Sequence, residues 1–122
     1  MGVDYSTTVG YGFVFSEDEL PPALESLKDG DYLGEEHIIP WLEEHGLDRI
    51  EATTVGNFMC GETFIFVYLK KTYLRFGIYD ADGVHKMGTP AITTAEQFQL
   101  NRLRVLFGTT DYPQWVVSFN VS

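Results

Sequence analysis

Carboxylates dominate the chemistry this chain can offer. Glu17, Asp18, Glu19, Glu25, Asp29, Asp31, Glu35, Glu36, Glu43, Glu44, Asp48 and Glu51 fall in one segment whose only bases are Lys28 and Arg49. That segment carries the entire formal charge of −10, because acids and bases cancel over the rest of the chain. A carboxylate pair can cleave glycosidic bonds by acid–base chemistry, but abundance alone singles out no pair. Carboxylates spaced along exposed helices can instead imitate a row of phosphates and dock a basic surface, with complementary fields orienting the encounter. Asp29, Asp31, Glu35, Glu36, Glu43 and Glu44 are the candidates for that role. The plainer alternative is a solvated layer that serves solubility.

The opposite charge is concentrated later. Lys70, Lys71 and Arg75 alternate with Tyr68, Tyr73 and Phe76, the one basic and aromatic stretch in the chain. Such a group can stack on a base and pair with its phosphate, or lysines can simply blunt an exposed strand edge. Arg102 falls inside the apolar arc of a predicted helix, so it must snorkel outward or meet a buried acid or an anionic ligand. Lys70, Lys71, Arg75 and Arg102 are therefore the candidate set for a small anionic ligand such as a nucleotide.

Other chemistries lack their parts. His37 and His45 stand two helical turns apart, and Glu44-His45 has no second histidine to complete a zinc motif. Asp80-Ala81-Asp82-Gly83 has no further calcium ligands and no closing Glu, and it reads as a turn between strands. Cys60 has no neighbouring His or Lys in sequence to activate its thiol, and no Gly-x-Ser-x-Gly elbow occurs. Gly10-Tyr11-Gly12 lacks the third glycine and the helix of a phosphate loop. The expectation is a non-enzymatic protein with no catalytic residue, metal or cofactor.

Size and composition set the frame for these groups. The 122 residues suit one domain spanning 1–122. A hydrophobic fraction of 44% with nine Phe, seven Tyr and two Trp argues against disorder. A single cysteine forms no internal disulfide and fits a reducing, cytoplasmic setting. No apolar run reaches the ~20 residues of a membrane span. The charge of −10 speaks against direct contact with a nucleic-acid backbone.

The elements that must position the candidates follow from periodicity. Residues 3–15 alternate as a strand with Val3, Tyr5, Thr7, Val9, Tyr11, Phe13 and Phe15 on one face, while Gly10 and Gly12 suggest a bulge or close backbone approach. A short helix follows from Pro22 and stops at Asp29-Gly30-Asp31. A second helix covers residues 36–45, with Ile38, Trp41, Leu42 and His45 as its apolar stripe and Gly46 after its end; Pro40 is awkward there unless it lies within the first turn. Glu43 and Glu44 then sit at the end that the helix dipole disfavours.

Strands are predicted over 49–55, 63–69 and 72–79, the last two forming a hairpin about Lys70-Lys71, with a short return strand over 84–87. A third helix over 95–107 is capped by Thr94 with Gln97 three residues on. Its polar side is narrow (Gln97, Asn101 and Arg104), so the helix is either packed on most of its surface or offers apolar area to a partner. A last strand over 115–121 carries Trp115, Val117, Phe119 and Val121 on one face. The order describes a single α+β domain with a mostly antiparallel sheet of about five strands and two to three helices.

Met1-Gly2-Val3-Asp4-Tyr5 leading to Gly10-Tyr11-Gly12, the acidic middle, Val55-Gly56-Asn57 and Gln114-Trp115-Val116-Val117-Ser118 resemble the pattern of small accessory proteins carried by bacteriophages. The resemblance implies a phage protein made in the host cytoplasm that blocks a host or defence protein. It transfers no catalytic residues. Three functions then compete. The first is an anti-defence inhibitor or adaptor whose acidic, nucleic-acid-mimicking face meets a basic host or defence protein. The second is a small-ligand binder that sequesters an anionic nucleotide. The third is a structural subunit, a homodimer joined through the third helix and the final strand.

Overall fold

The computed structural model describes residues 5–57, 61–77 and 91–121. Cys60, the Asp80-Ala81-Asp82-Gly83 turn and the short return strand over 84–87 lie outside the described residues. The elements run β1 (Tyr5–Ser16), α1 (Pro22–Glu25), α2 (Glu35–Glu44), β2 (Ile50–Asn57), β3 (Glu62–Leu69), β4 (Leu74–Gly77), α3 (Thr94–Phe107) and β5 (Gln114–Val121). The expected α+β class holds, with five strands, mostly antiparallel, and three helices.

The sheet curls until it meets itself. β1 pairs along one edge with β5, from Tyr5↔Val121 to Gly12↔Gln114. Along its other edge it pairs first with β4 and then with β3. β3 also pairs with β2, and β2 returns to β5 through a parallel bridge, Asn57↔Val121. β1, β3, β2 and β5 thus form a ring closed at one narrow point.

The predicted hairpin of residues 63–69 and 72–79 does not exist. β3 and β4 both run antiparallel to β1, with pairs Gly12↔Tyr68 and Val9↔Leu74, so they are one strand direction broken by a single 3₁₀ turn at Lys70–Thr72. A side chain repairs the break. Thr72 Oγ1 accepts the Tyr11 N–H at 2.9 Å and donates to the Leu69 carbonyl at 2.7 Å, restoring the ladder partner that the turn removes.

Alternation in β3 serves two cores, with Ile65, Val67 and Leu69 on one face and Phe66 and Tyr68 on the other. Phe13 joins Ile65, Val67, Leu69, Ile50 and Ala52 on the side covered by the helices, where Leu24, Ile38, Leu42, Leu100, Leu103 and Phe107 pack. On the inner side of the ring sit Val55, Phe66 and Tyr68, with Tyr73 and Val116 against them. Gly12 is needed here as the close approach its position suggested: a Cβ would lie 2.0 Å from the Val67 carbonyl oxygen.

Two helix ends differ from expectation. The cap of α3 is Thr93, not Thr94. Its Oγ1 accepts the Glu96 N–H at 3.2 Å, and Glu96 Oε1 accepts the Thr93 N–H at 2.8 Å. Pro40 is the sixth residue of α2, beyond its first turn, so the Glu36 carbonyl loses its N–H partner. Gly108 ends α3 as expected, in the left-handed region at φ 65°.

Candidate functional site

The acidic segment folds as the outer layer over the helix-covered core. Leu24 of α1, Leu33, Ile38 and Leu42 of α2, and Leu47 are buried and anchor it. Alternation of these anchors with acids turns the charge outward. Asp29, Asp31, Glu35, Glu36, Glu43 and Glu44 are all exposed. Asp29 and Asp31 flank Gly30 in a tight turn, where Asp29 and Tyr32 exchange backbone hydrogen bonds at 2.8 and 3.1 Å. Glu35 and Glu36 begin α2, and Glu43 and Glu44 end it with no base in the last turn.

Local contacts organise the start of this layer. The Gly34 N–H donates to His37 Nδ1 at 3.0 Å, which satisfies one of the amides at the head of α2. The Tyr32 ring meets the His37 ring edge to face at 5.5 Å. The Glu36 carboxylate beside its hydroxyl holds the Tyr32 phenol above its usual range. Glu36 is held below the usual carboxylate range by its own backbone N–H first and by Tyr32 second. Asp48 is likewise held down, chiefly by Gln99 Nε2 at 2.7 Å. Among the described residues, the ion pair within the layer is Lys28–Glu25 at 3.2 Å, so the other acids face solvent without a cationic partner.

The basic candidates are placed on separate business. Lys71 leaves the turn between β3 and β4 and binds Glu96 Oε1 at 2.6 Å, with a further bond to the Ala91 carbonyl. Glu96 is itself buried, and Lys71 above all holds its carboxyl down to about 2. The pair ties the broken strand to the start of α3. Arg75 is exposed on β4 opposite Thr8. Arg102 does not lie in a buried arc but is exposed, lining a hollow of about 540 Å³ with His45, Gly46, Leu47, Thr94, Ala95, Phe98 and Gln99. Lys70, Lys71 and Arg75 take no part in that hollow.

Sequence reasoning missed Asn120. It is buried on the inner side of the ring, and its Oδ1 accepts the Gly56 N–H at 3.0 Å and the Ser118 hydroxyl at 3.0 Å. Its Nδ2 donates to Thr8 Oγ1 at 2.7 Å and Ser6 Oγ at 3.3 Å. One amide therefore joins β1, β2 and β5 where the ring closes. The available signal was parity: Ser6 and Thr8 share a face of β1, and Ser118 and Asn120 share the matching face of β5.

Among the described residues, no three of His, Cys, Asp and Glu gather as a metal site, and no helix is long and apolar enough to cross a membrane. No family model, curated protein or solved structure matches this chain.

Proposed function

We propose that this protein is a non-enzymatic inhibitor or adaptor of the phage accessory type, acting in the host cytoplasm, and that its acidic layer docks a basic protein surface. One observation carries the reading. The segment holding the whole charge of −10 is the solvent-facing layer, and among the described residues its acids are left almost entirely without internal cations. A protein using these carboxylates for its own stability would pair them, and a layer kept unpaired retains its field for a partner. The acids at the end of α2 point the same way, since they oppose the helix dipole and so are kept against local stability. The nucleotide-binding alternative has weaker support, because Lys71 is already neutralised by Glu96.

The test is capture of basic proteins by the immobilised chain, compared with Asp31→Lys/Glu35→Lys/Glu43→Lys/Glu44→Lys. Glu36 is spared because it holds Tyr32. The native chain should retain a basic protein at low salt, release it at high salt, and lose it to added double-stranded DNA. The variant should retain none of it. Equal capture by both chains would overturn the reading.

A further inference from the structure

The helices cover only part of the outer face of the sheet. Phe107 of α3 meets Phe13 and Phe15 at 6.0 and 5.2 Å, so the C-terminal half of β1 is roofed. Beyond that roof Val9 is still buried, but Tyr5 at the start of β1 and the same face of β5 stay exposed. Register places Tyr5 beside Val121, Thr7 beside Phe119, Val9 beside Val117 and Tyr11 beside Trp115 on the same face. Phe119 is 77% exposed, Val117 57%, Tyr5 49% and Trp115 42%. No charged residue occurs anywhere in Tyr5–Ser16 or Gln114–Val121, in a chain whose net charge is −10.

We propose that this β1/β5 face is a homodimer interface, occupied by the same face of a second copy about a twofold axis near Val117. The area fits. The four exposed side chains offer on the order of 400 Å² of mostly apolar surface, given the 150–250 Å² that an aromatic residue buries. A standard interface uses about 800 Å² per partner, of which roughly 57% is apolar, or about 450 Å². Charge selects the occupant. A basic partner gains nothing on an uncharged strip, whereas a second copy brings a strip equally neutral and apolar. Two molecules of charge −10 repel, so they can associate only where the acids are absent, and the acidic segment packs over the other, helix-covered part of the sheet. A self-complementary patch closes as a dimer rather than growing. β5 adds to this. Among the described residues it reaches β2 only at Asn57↔Val121, leaving most of its second edge without a ladder partner. This interface is separate from the acidic layer and does not rest on it.

Light scattering on the full chain at tens of micromolar and moderate salt should give twice the 13.8 kDa of one chain. Val117→Lys/Phe119→Lys should give a single chain mass with an unchanged circular dichroism spectrum, because both side chains are exposed. Should that variant misfold, a second measurement decides. With Cys60→Ser as background, Val117→Cys should cross-link to a dimer on mild oxidation, and Glu43→Cys should not. A mass of 13.8 kDa for the native chain would overturn the proposal, as would a folded lysine variant that still dimerises or cross-linking equal at both positions. The charge-reversed acidic variant should remain dimeric, so failure here and failure of the docking reading show up in different experiments.

Discussion

The acidic layer and the closed ring of strands expose two opposite ways of using polar groups. Between Glu17 and Asp48 the charged side chains stand in water and few have partners, so each is nearly independent of the next. Where β1, β2 and β5 meet, the uncharged Asn120 alone serves four partners. Polar groups left in solvent contribute little and can be exchanged. Polar groups taken out of it must all be satisfied, and each becomes indispensable. The layer therefore tolerates exchange of its side chains, and the ring holds one geometry.

Breaking the ring should cost most. Gly12→Ala puts a Cβ 2.0 Å from the Val67 carbonyl oxygen and 2.7 Å from Tyr68 Cα, both backbone atoms that cannot move without parting β1 from β3. A loss above about 4 kcal/mol is expected, seen as an unfolded chain or a collapsed urea midpoint. A midpoint close to the native one would mean that the ring is far more pliant than its contacts imply. Asn120→Ala comes next. It strands the buried Gly56 N–H and the Thr8 hydroxyl, for about 2–4 kcal/mol by urea unfolding.

The Lys71–Glu96 pair lies between the two regimes, 35% exposed on the lysine side and buried on the carboxylate side. Because Glu96 titrates at about 2 when folded, against an ordinary value of 4.5, its ionised form favours the fold. That contribution is complete above pH 4.5 and is lost as pH falls from there toward 2. Glu96→Gln should therefore unfold at lower urea than the native chain at neutral pH, and the gap between them should close near pH 2. A gap that is constant with pH would remove the ion pair as its cause. The smallest effect belongs to the layer. Glu43→Lys and Glu44→Lys should leave stability unchanged or raise it by about 0.3–1 kcal/mol each, since a cation suits the end of a helix. A clear loss in thermal unfolding would show that these carboxylates have structural partners after all.

What was legible in the sequence divides along the same line. Strand and helix identities follow from periodicity, and the exposure of Asp29, Asp31, Glu35, Glu36, Glu43 and Glu44 follows from their alternation with Leu33, Ile38 and Leu42. Two of the failures are cases where a distant group decides. Thr93-Thr94-Ala95-Glu96-Gln97 contains two capping boxes of equal spacing, and Lys71, far off in sequence, draws Glu96 into the one used. Lys70-Lys71 reads as a hairpin turn because nothing nearby reveals that Thr72 will take the Tyr11 amide and keep the chain going in the same direction. A helical wheel sets Arg102 among apolar neighbours, but Phe98 and Val105 beside it are exposed as well, so its side of α3 faces water.

The way the ring closes also bears on how the chain finds its fold. The bonds made by Asn120 span sequence separations of 64 to Gly56 and 112 to Thr8, whereas β2 and β3 meet across a short connection. Closing loops that long costs conformational entropy before any bond repays it, and such contacts slow folding. The order of assembly is thereby biased: β2 and β3 zip early, β1 joins them, and β5 arrives last to seal the circle. The Gly56 amide is a built-in clock for that last event. In pulse-labelled hydrogen exchange its protection would mark the moment the barrel shuts, later than the amides of Ile65 and Val67 at its centre.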